Sequence, residues 1–86
     1  MAEQLIGNVT HYFSKPKVAA IKITDGQLSV GDTVHIVGHT SDFTQQIESM
    51  QIEHASVPSA KVGDNVGIQM IEHAREHDKV YRVEPV

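Results

Sequence analysis

The sequence predicts an all-β fold, a small closed antiparallel barrel of six strands. Three observations predict it. Apolar residues recur mostly at every second position rather than with a helical period. Turn residues punctuate the chain at short spacing. One turn, Val-Gly-Asp, occurs twice and each time leads into an alternating run, in "SVGDTVHIVG" from Ser29 and in "KVGDNVGIQM" from Lys61. Closure into a barrel removes the exposed edges that a small sheet otherwise presents.

The elements follow in order. "LIGNVTHYF" places Ile6, Asn8, Thr10 and Tyr12 on one face and Leu5, Gly7, Val9, His11 and Phe13 on the other. "KVAAIKIT" alternates Ala19, Ile21 and Ile23 with Ala20, Lys22 and Thr24. Pro16 cannot donate to a ladder, so these two runs read as a hairpin turning over Ser14 to Lys17. Asp25-Gly26 is a strong turn signal. "TVHIVG" is the third strand, with Val34 and Ile36 on one face, and Gly38 to Asp42 is a loop. "FTQQIESMQIEH" is the fourth; its step from Ile47 to Met50 breaks the two-residue period, which suggests a long strand bent by a bulge near Glu48 to Met50. "NVGIQMI" buries Val66, Ile68 and Met70, and "KVYRVEP" sets Val80 and Arg82 opposite Tyr81 and Val83. The expected core is Val9, Ala19, Ile21, Ile23, Val34, Ile36, Ile47, Ile52, Val66, Ile68, Val80 and Val83. The last two residues, Pro85 and Val86, are expected to fray.

Composition narrows the function. The 86 residues make one domain, 1–86, and a chain of this size buries about 60–65% of its unfolded surface. There is no cysteine, which excludes a disulfide framework, a thiolate nucleophile and a cysteine-based zinc site. No apolar run approaches the roughly 20 residues that span a bilayer. The polar start Met1-Ala2-Glu3-Gln4 is unlike a signal peptide, so a cytoplasmic location is expected. With a net charge of -4 and only seven Lys and Arg, the chain lacks the clustered cations of a non-specific nucleic-acid binder. Lys15, Lys17 and Lys22 form its only local basic group.

Each Val-Gly-Asp copy puts glycine where the chain must adopt positive φ, and glycine alone does so without cost. The following Asp32 or Asp64 is expected to accept backbone N–H bonds. The preceding valine is expected to plug the barrel end. Gly26, Gly31, Asp32, Gly63, Asp64 and Gly67 are the expected turn residues.

Gly26, Leu28, Val30, Gly31, Asp32, Val34, Ile36 and Gly38, followed by Ala60, Gly63, Asp64, Val66 and Gly67, carry a family resemblance. From Ile6 to Val83 the chain resembles the second domain of translational GTPases such as elongation factor Tu. It is also similar to the C-terminal barrel of collagenase-like bacterial peptidases, to which "HYFSKPKVAAIKITDGQLSVGDTVHIVGHTSDFTQQIESMQIEH" is closer in wording. The resemblance implies a six-stranded barrel that docks other molecules. In the large factors this barrel packs on the nucleotide domain and helps hold the acceptor end of transfer RNA. The chain has no G-x-x-x-x-G-K-[ST] loop, so neither GTP binding nor hydrolysis is implied.

No catalytic, cofactor-binding or metal-ligating set is assigned. His73 and His77, four apart in "EHAREH", would share a helix face and could bind zinc or nickel there; the bland reading is a solvated loop. His39, Ser41, Asp42 and His54 contain the types of a hydrolytic triad without its geometry. Two segments are candidate partner-binding surfaces. Tyr12, Phe13, Lys15 and Lys17 on the first hairpin tip offer aromatic and basic groups to an RNA base and phosphate, or else pack inward and keep the tip soluble. Met50, Gln51, Glu53 and His54 offer an adaptable methionine among polar groups, or else Met50 and Ile52 are core. The expected function is non-enzymatic docking of a protein or a structured, tRNA-like RNA. The alternatives are a recruiting domain for a collagenase-like peptidase and a small histidine-based metal protein.

Overall fold

A β-strand with one covered face alternates buried and exposed side chains. Strands of five or six residues at Val18–Ile23, Thr33–Val37, Asp42–Gln46 and Asn65–Gln69 do so. The computed structural model describes residues 2–84, so the expected fraying of Pro85 and Val86 falls outside the described residues. It contains ten strands and, among the described residues, no helix: β1 Ala2–Phe13, β2 Val18–Ile23, β3 Gln27–Ser29, β4 Thr33–Val37, β5 Asp42–Gln46, β6 Met50–Ile52, β7 Ala55–Ser56, β8 Ser59–Lys61, β9 Asn65–Gln69 and β10 Lys79–Glu84. All pairings are antiparallel.

The all-β class stands, while the strand ladders by themselves show neither six strands nor a closed barrel. Eight strands form one sheet in the order β5-β4-β10-β1-β2-β9-β6-β7, and β3 pairs with β8 separately. No ladder joins the end strands β5 and β7. The extra strands are two or three residues long, too short to show alternation. The run from Phe43 to His54 is not one bulged strand. It changes partner: β5 pairs with β4, and β6 pairs with β9. Between them the Ile47 backbone turns aside to bond Gly31 and Asp32 at 2.9 and 2.8 Å.

One side chain spans the gap the ladders leave. Gln45 of β5 is almost buried; its amide donates to the Gln69 carbonyl at 2.9 Å and accepts from the Ile71 N–H at 2.8 Å. It serves β9 as a neighbouring peptide group would, satisfying backbone groups that burial would otherwise penalise.

Strict alternation along β1 is also corrected. Its register shifts between Leu5 and Gly7 against β10, and between Val9 and His11 against β2. Such irregularities let Ile6 and Val9, three apart, both reach the interior at 0% exposure. Of the expected core, Ile52 and Val83 are only half-buried and the rest is buried. Ile6, Leu28, Phe43, Met50, Ala60, Met70 and Ala74 join it.

Three corners with one geometry launch strands. At the first, Ser29 N–H donates to Asp32 Oδ2 at 2.9 Å while Asp32 N–H donates to the Ser29 carbonyl at 3.0 Å. Lys61 and Asp64 repeat this at 3.0 and 3.0 Å, and Arg75 and Asp78 repeat it at 2.9 and 3.1 Å. The third residue of each has positive φ: Gly31 at 98°, Gly63 at 95° and His77 at 73°. The next strands, β4, β9 and β10, begin directly after the three aspartates. The valines before the glycines do not plug an end: Val30 and Val62 are 43% and 57% exposed, because the second turn position points outward. Gly26 also has positive φ, 66°, in the turn before β3. Gly67 is no turn residue; it lies in the middle of β9.

Candidate docking groove

Strands β2, β9 and β6 lie side by side, and their inward residues Ala19, Ile21, Val66, Ile68 and Met50 are core. The intervening residues point outward. In one row across these strands stand Ala20, Gly67 and Gln51, with Gly67 paired to both neighbours. Two small residues next to each other leave a trough in the outer face of the sheet. A Cβ built on Gly67 would make only ordinary contact, 3.4 Å from Val18 Cγ1, so the space above it is open.

Two loops wall this trough. From the β1–β2 hairpin come Phe13, Pro16 and Val18; from the β6–β7 turn come Glu53 and His54. Together they enclose a groove of about 440 Å³. The Phe13 ring is 49% exposed and is held by an edge-on contact with His11, ring centroids 4.4 Å apart. Glu53 and His54 both adopt left-handed backbone, φ 51° and 67°. A two-residue hairpin loop with positive φ at both positions favours Asn-Gly, which avoids the side-chain penalty. With Glu and His there, each position carries strain of order 1 kcal/mol, and such strain persists mainly at functional sites.

The groove unites residues from both segments marked in the sequence. Phe13 from the first and Gln51, Glu53 and His54 from the second share it. The others part from them. Met50 is 1% exposed, so its thioether belongs to the core and is not offered to a partner; the inward face of β6 requires this. Lys15 and Lys17 are exposed on the hairpin turn and do not line the groove. Tyr12 points to the opposite side, where its ring lies 4.4 Å from that of His73 in a shallower recess with Ser14, Arg75 and Glu76.

The histidines and the loop serine assemble nothing catalytic. His73 packs on Tyr12 and His77 occupies a corner. Among the described residues, no three His, Asp or Glu side chains are placed to hold a metal ion. Ser41 Oγ is buried without a hydrogen-bond partner, and Asp42 turns away from it to His35. That imidazole is held between two carboxylates, Asp42 at Nε2 and Glu3 at Nδ1, the latter 3.0 Å away. The bonds to Asp42 and then Glu3 raise its pKa above the ordinary 6.5, against a smaller opposing effect of burial.

A family model described as elongation factor Tu domain 2 matches residues 17–70. The chain belongs to the elongation factor Tu domain 2 family. Within the family, this member is also similar to parts of larger proteins. It is 39% identical over 77 residues to an uncharacterized protease of Methanocaldococcus jannaschii, covering 88% of this chain and 19% of the protease. It is 35% identical over 78 residues to a collagenase of Porphyromonas gingivalis, covering 90% of this chain and 22% of the collagenase. The chain thus spans about a fifth of the length of these curated relatives. Among solved structures, the C-terminal domain of a putative U32 peptidase from Geobacillus thermoleovorans superposes with a TM-score of 0.86 at 19% identity, covering 94% of this chain and 93% of that domain. Its selenomethionine variant gives 0.84 at 20% identity, covering 90% and 96%. At such identity the likeness is one of fold. Both halves of the resemblance read from the sequence are therefore found.

Proposed function

We propose that this member of the elongation factor Tu domain 2 family is a non-catalytic docking module whose protein partner is a peptidase. The observation that carries this reading is the groove itself. Two loops about forty residues apart in the chain converge on a trough whose floor is Ala20 and Gly67, and the strained Glu53–His54 turn holds one wall in place. The relatives support the peptidase setting, since the matched segment is a small part of an uncharacterized protease and of a collagenase. We read the curved sheet, tied through Gln45, as one barrel of the translation-protein domain-two type, working in the cytoplasm. Among the described residues no helix is long and apolar enough to cross a membrane.

A second reading, docking of structured RNA, is favoured by the Tyr12–His73 recess. There two rings in contact lie beside the Arg75 cation, the parts needed to stack a base and meet a phosphate. The net charge of -4 opposes it.

One titration separates the two. The isotope-labelled chain is followed by NMR while either a U32-type peptidase lacking its C-terminal domain or transfer RNA is added at low and high salt. The proposal expects the peptidase to shift Phe13, Ala20, Gln51 and His54, and Phe13→Ala to weaken that binding about tenfold. Shifts confined to Tyr12, His73 and Arg75, produced by RNA and abolished by salt, would replace it with the second reading. Silence with both probes would overturn the two together.

A further inference from the structure

The groove's chemistry selects its occupant, and this step rests on the docking reading above. We infer that the groove receives a lysine or arginine side chain from an extended segment of the partner protein. Four features match that side chain along its length. The trough over Ala20 and Gly67 is narrow, apolar and open, which suits an unbranched hydrocarbon stem. The exposed Phe13 ring stands at its side, where an aromatic face attracts a cation. Glu53 stands at the rim and, among the described residues, makes no ion pair. Gln51 offers a neutral amide in the row beside Gly67.

The alternatives fit less well. An acidic side chain would meet Glu53 directly. A branched aliphatic or aromatic side chain would fill the trough and leave Glu53 with nothing to pair. The net charge of -4 also favours encounter with a basic segment. Lys15 and Lys17, either side of Pro16 on the hairpin turn, do not line the groove. Edge strand β7, with Ala55 and Ser56 exposed and one side unpaired, lies beyond Gln51 and leaves room for an extended backbone.

The test uses the full chain and blocked peptides of one sequence, Thr-Val-Xaa-Val-Thr, with Xaa as lysine, norleucine or glutamate. Norleucine keeps the stem and removes the charge. Chemical-shift titration is expected to place the lysine peptide at Ala20, Gln51, Glu53 and Gly67. Its affinity should exceed that of the norleucine peptide by about two- to fivefold, an advantage that fades at high salt. The glutamate peptide should be the weakest. In Glu53→Gln the lysine and norleucine peptides should bind alike. Gly67→Ala, whose Cβ would make only ordinary contact, should weaken binding of both by filling the trough floor while leaving the spectrum folded. Equal binding of the lysine and glutamate peptides, or shifts mapping away from the groove, overturns the inference. If every peptide fails while the peptidase still shifts the groove residues, this inference falls and the docking reading survives. If the peptidase fails as well, both fall.

Discussion

At the scale of single residues, the three aspartate corners separate backbone strain from packing. Gly31 has φ 98° and nothing within 4 Å of where a Cβ would stand. Gly31→Val should therefore cost about 1–3 kcal/mol through strain alone, seen as a shift in urea midpoint at unchanged slope. A variant as stable as the parent would refute the turn assignment. The third corner inverts the experiment. His77 sits at the glycine position with φ 73°, so His77→Gly should leave the protein unchanged or more stable by up to about 1 kcal/mol. A loss greater than that would mean the imidazole makes a contact that outweighs its strain. His35 gives a pH test. Its charged form is favoured by Asp42 on β5 and Glu3 on β1, with the Tyr81 ring of β10 as the other titratable neighbour. A histidine with a raised folded pKa holds its proton more tightly folded than unfolded. Its stabilisation is full below the unfolded value near 6.5 and is lost as pH rises through the higher folded value. Urea melts between pH 6 and 8.5 should show this loss, and His35→Gln should flatten it.

At the scale of elements, alternation was legible and partner choice was not. The longer strands β2, β4 and β9 lie where Ala19-Ile21-Ile23, Val34-Ile36 and Val66-Ile68 placed them, because a half-covered strand needs period two. The split of β5 from β6 was hidden. Sequence shows the broken period at Ile47 to Met50 but not that the two halves pair with different neighbours. The third corner, Arg75-Glu76-His77-Asp78, was hidden because it lacks glycine; only its aspartate position repeats. The docking residues were half legible. Phe13 stood out as an aromatic on a hairpin tip and Glu53 and His54 as polar groups on a strand, whereas their turn, and the register of Ala20 with Gly67 that makes the trough, were not visible in the sequence. Gln45 shows how element-level geometry yields a prediction. Gln45→Leu keeps the volume and removes both bonds to the β9 end, leaving the Ile71 N–H and Gln69 carbonyl without these partners. A loss of about 1–3 kcal/mol is expected, together with faster amide exchange at Ile71. An unchanged Ile71 exchange rate would show that β5 and β9 do not depend on this tie.

At the scale of the whole molecule, the buried side chains are mostly apolar, and among the described residues the polar ones assemble no metal-holding group. Asp42 serves His35, Ser41 Oγ is buried, and His73 packs on Tyr12. The molecule offers a surface of small features, and its work is expected to be recognition. A turnover assay of the isolated chain on peptide and GTP substrates should give no product; measurable product would overturn the non-catalytic reading.

The first and last strands are neighbours, with Ala2 directly across from Glu84. Opposed residues on antiparallel strands stand about 5 Å apart, so the described residues begin and finish side by side. A short glycine linker could therefore join them and new ends be opened elsewhere, for instance within the β4–β5 loop. The same adjacency makes the unit suitable for splicing into a host loop, since it would enter and leave through a single stalk without prying the host apart.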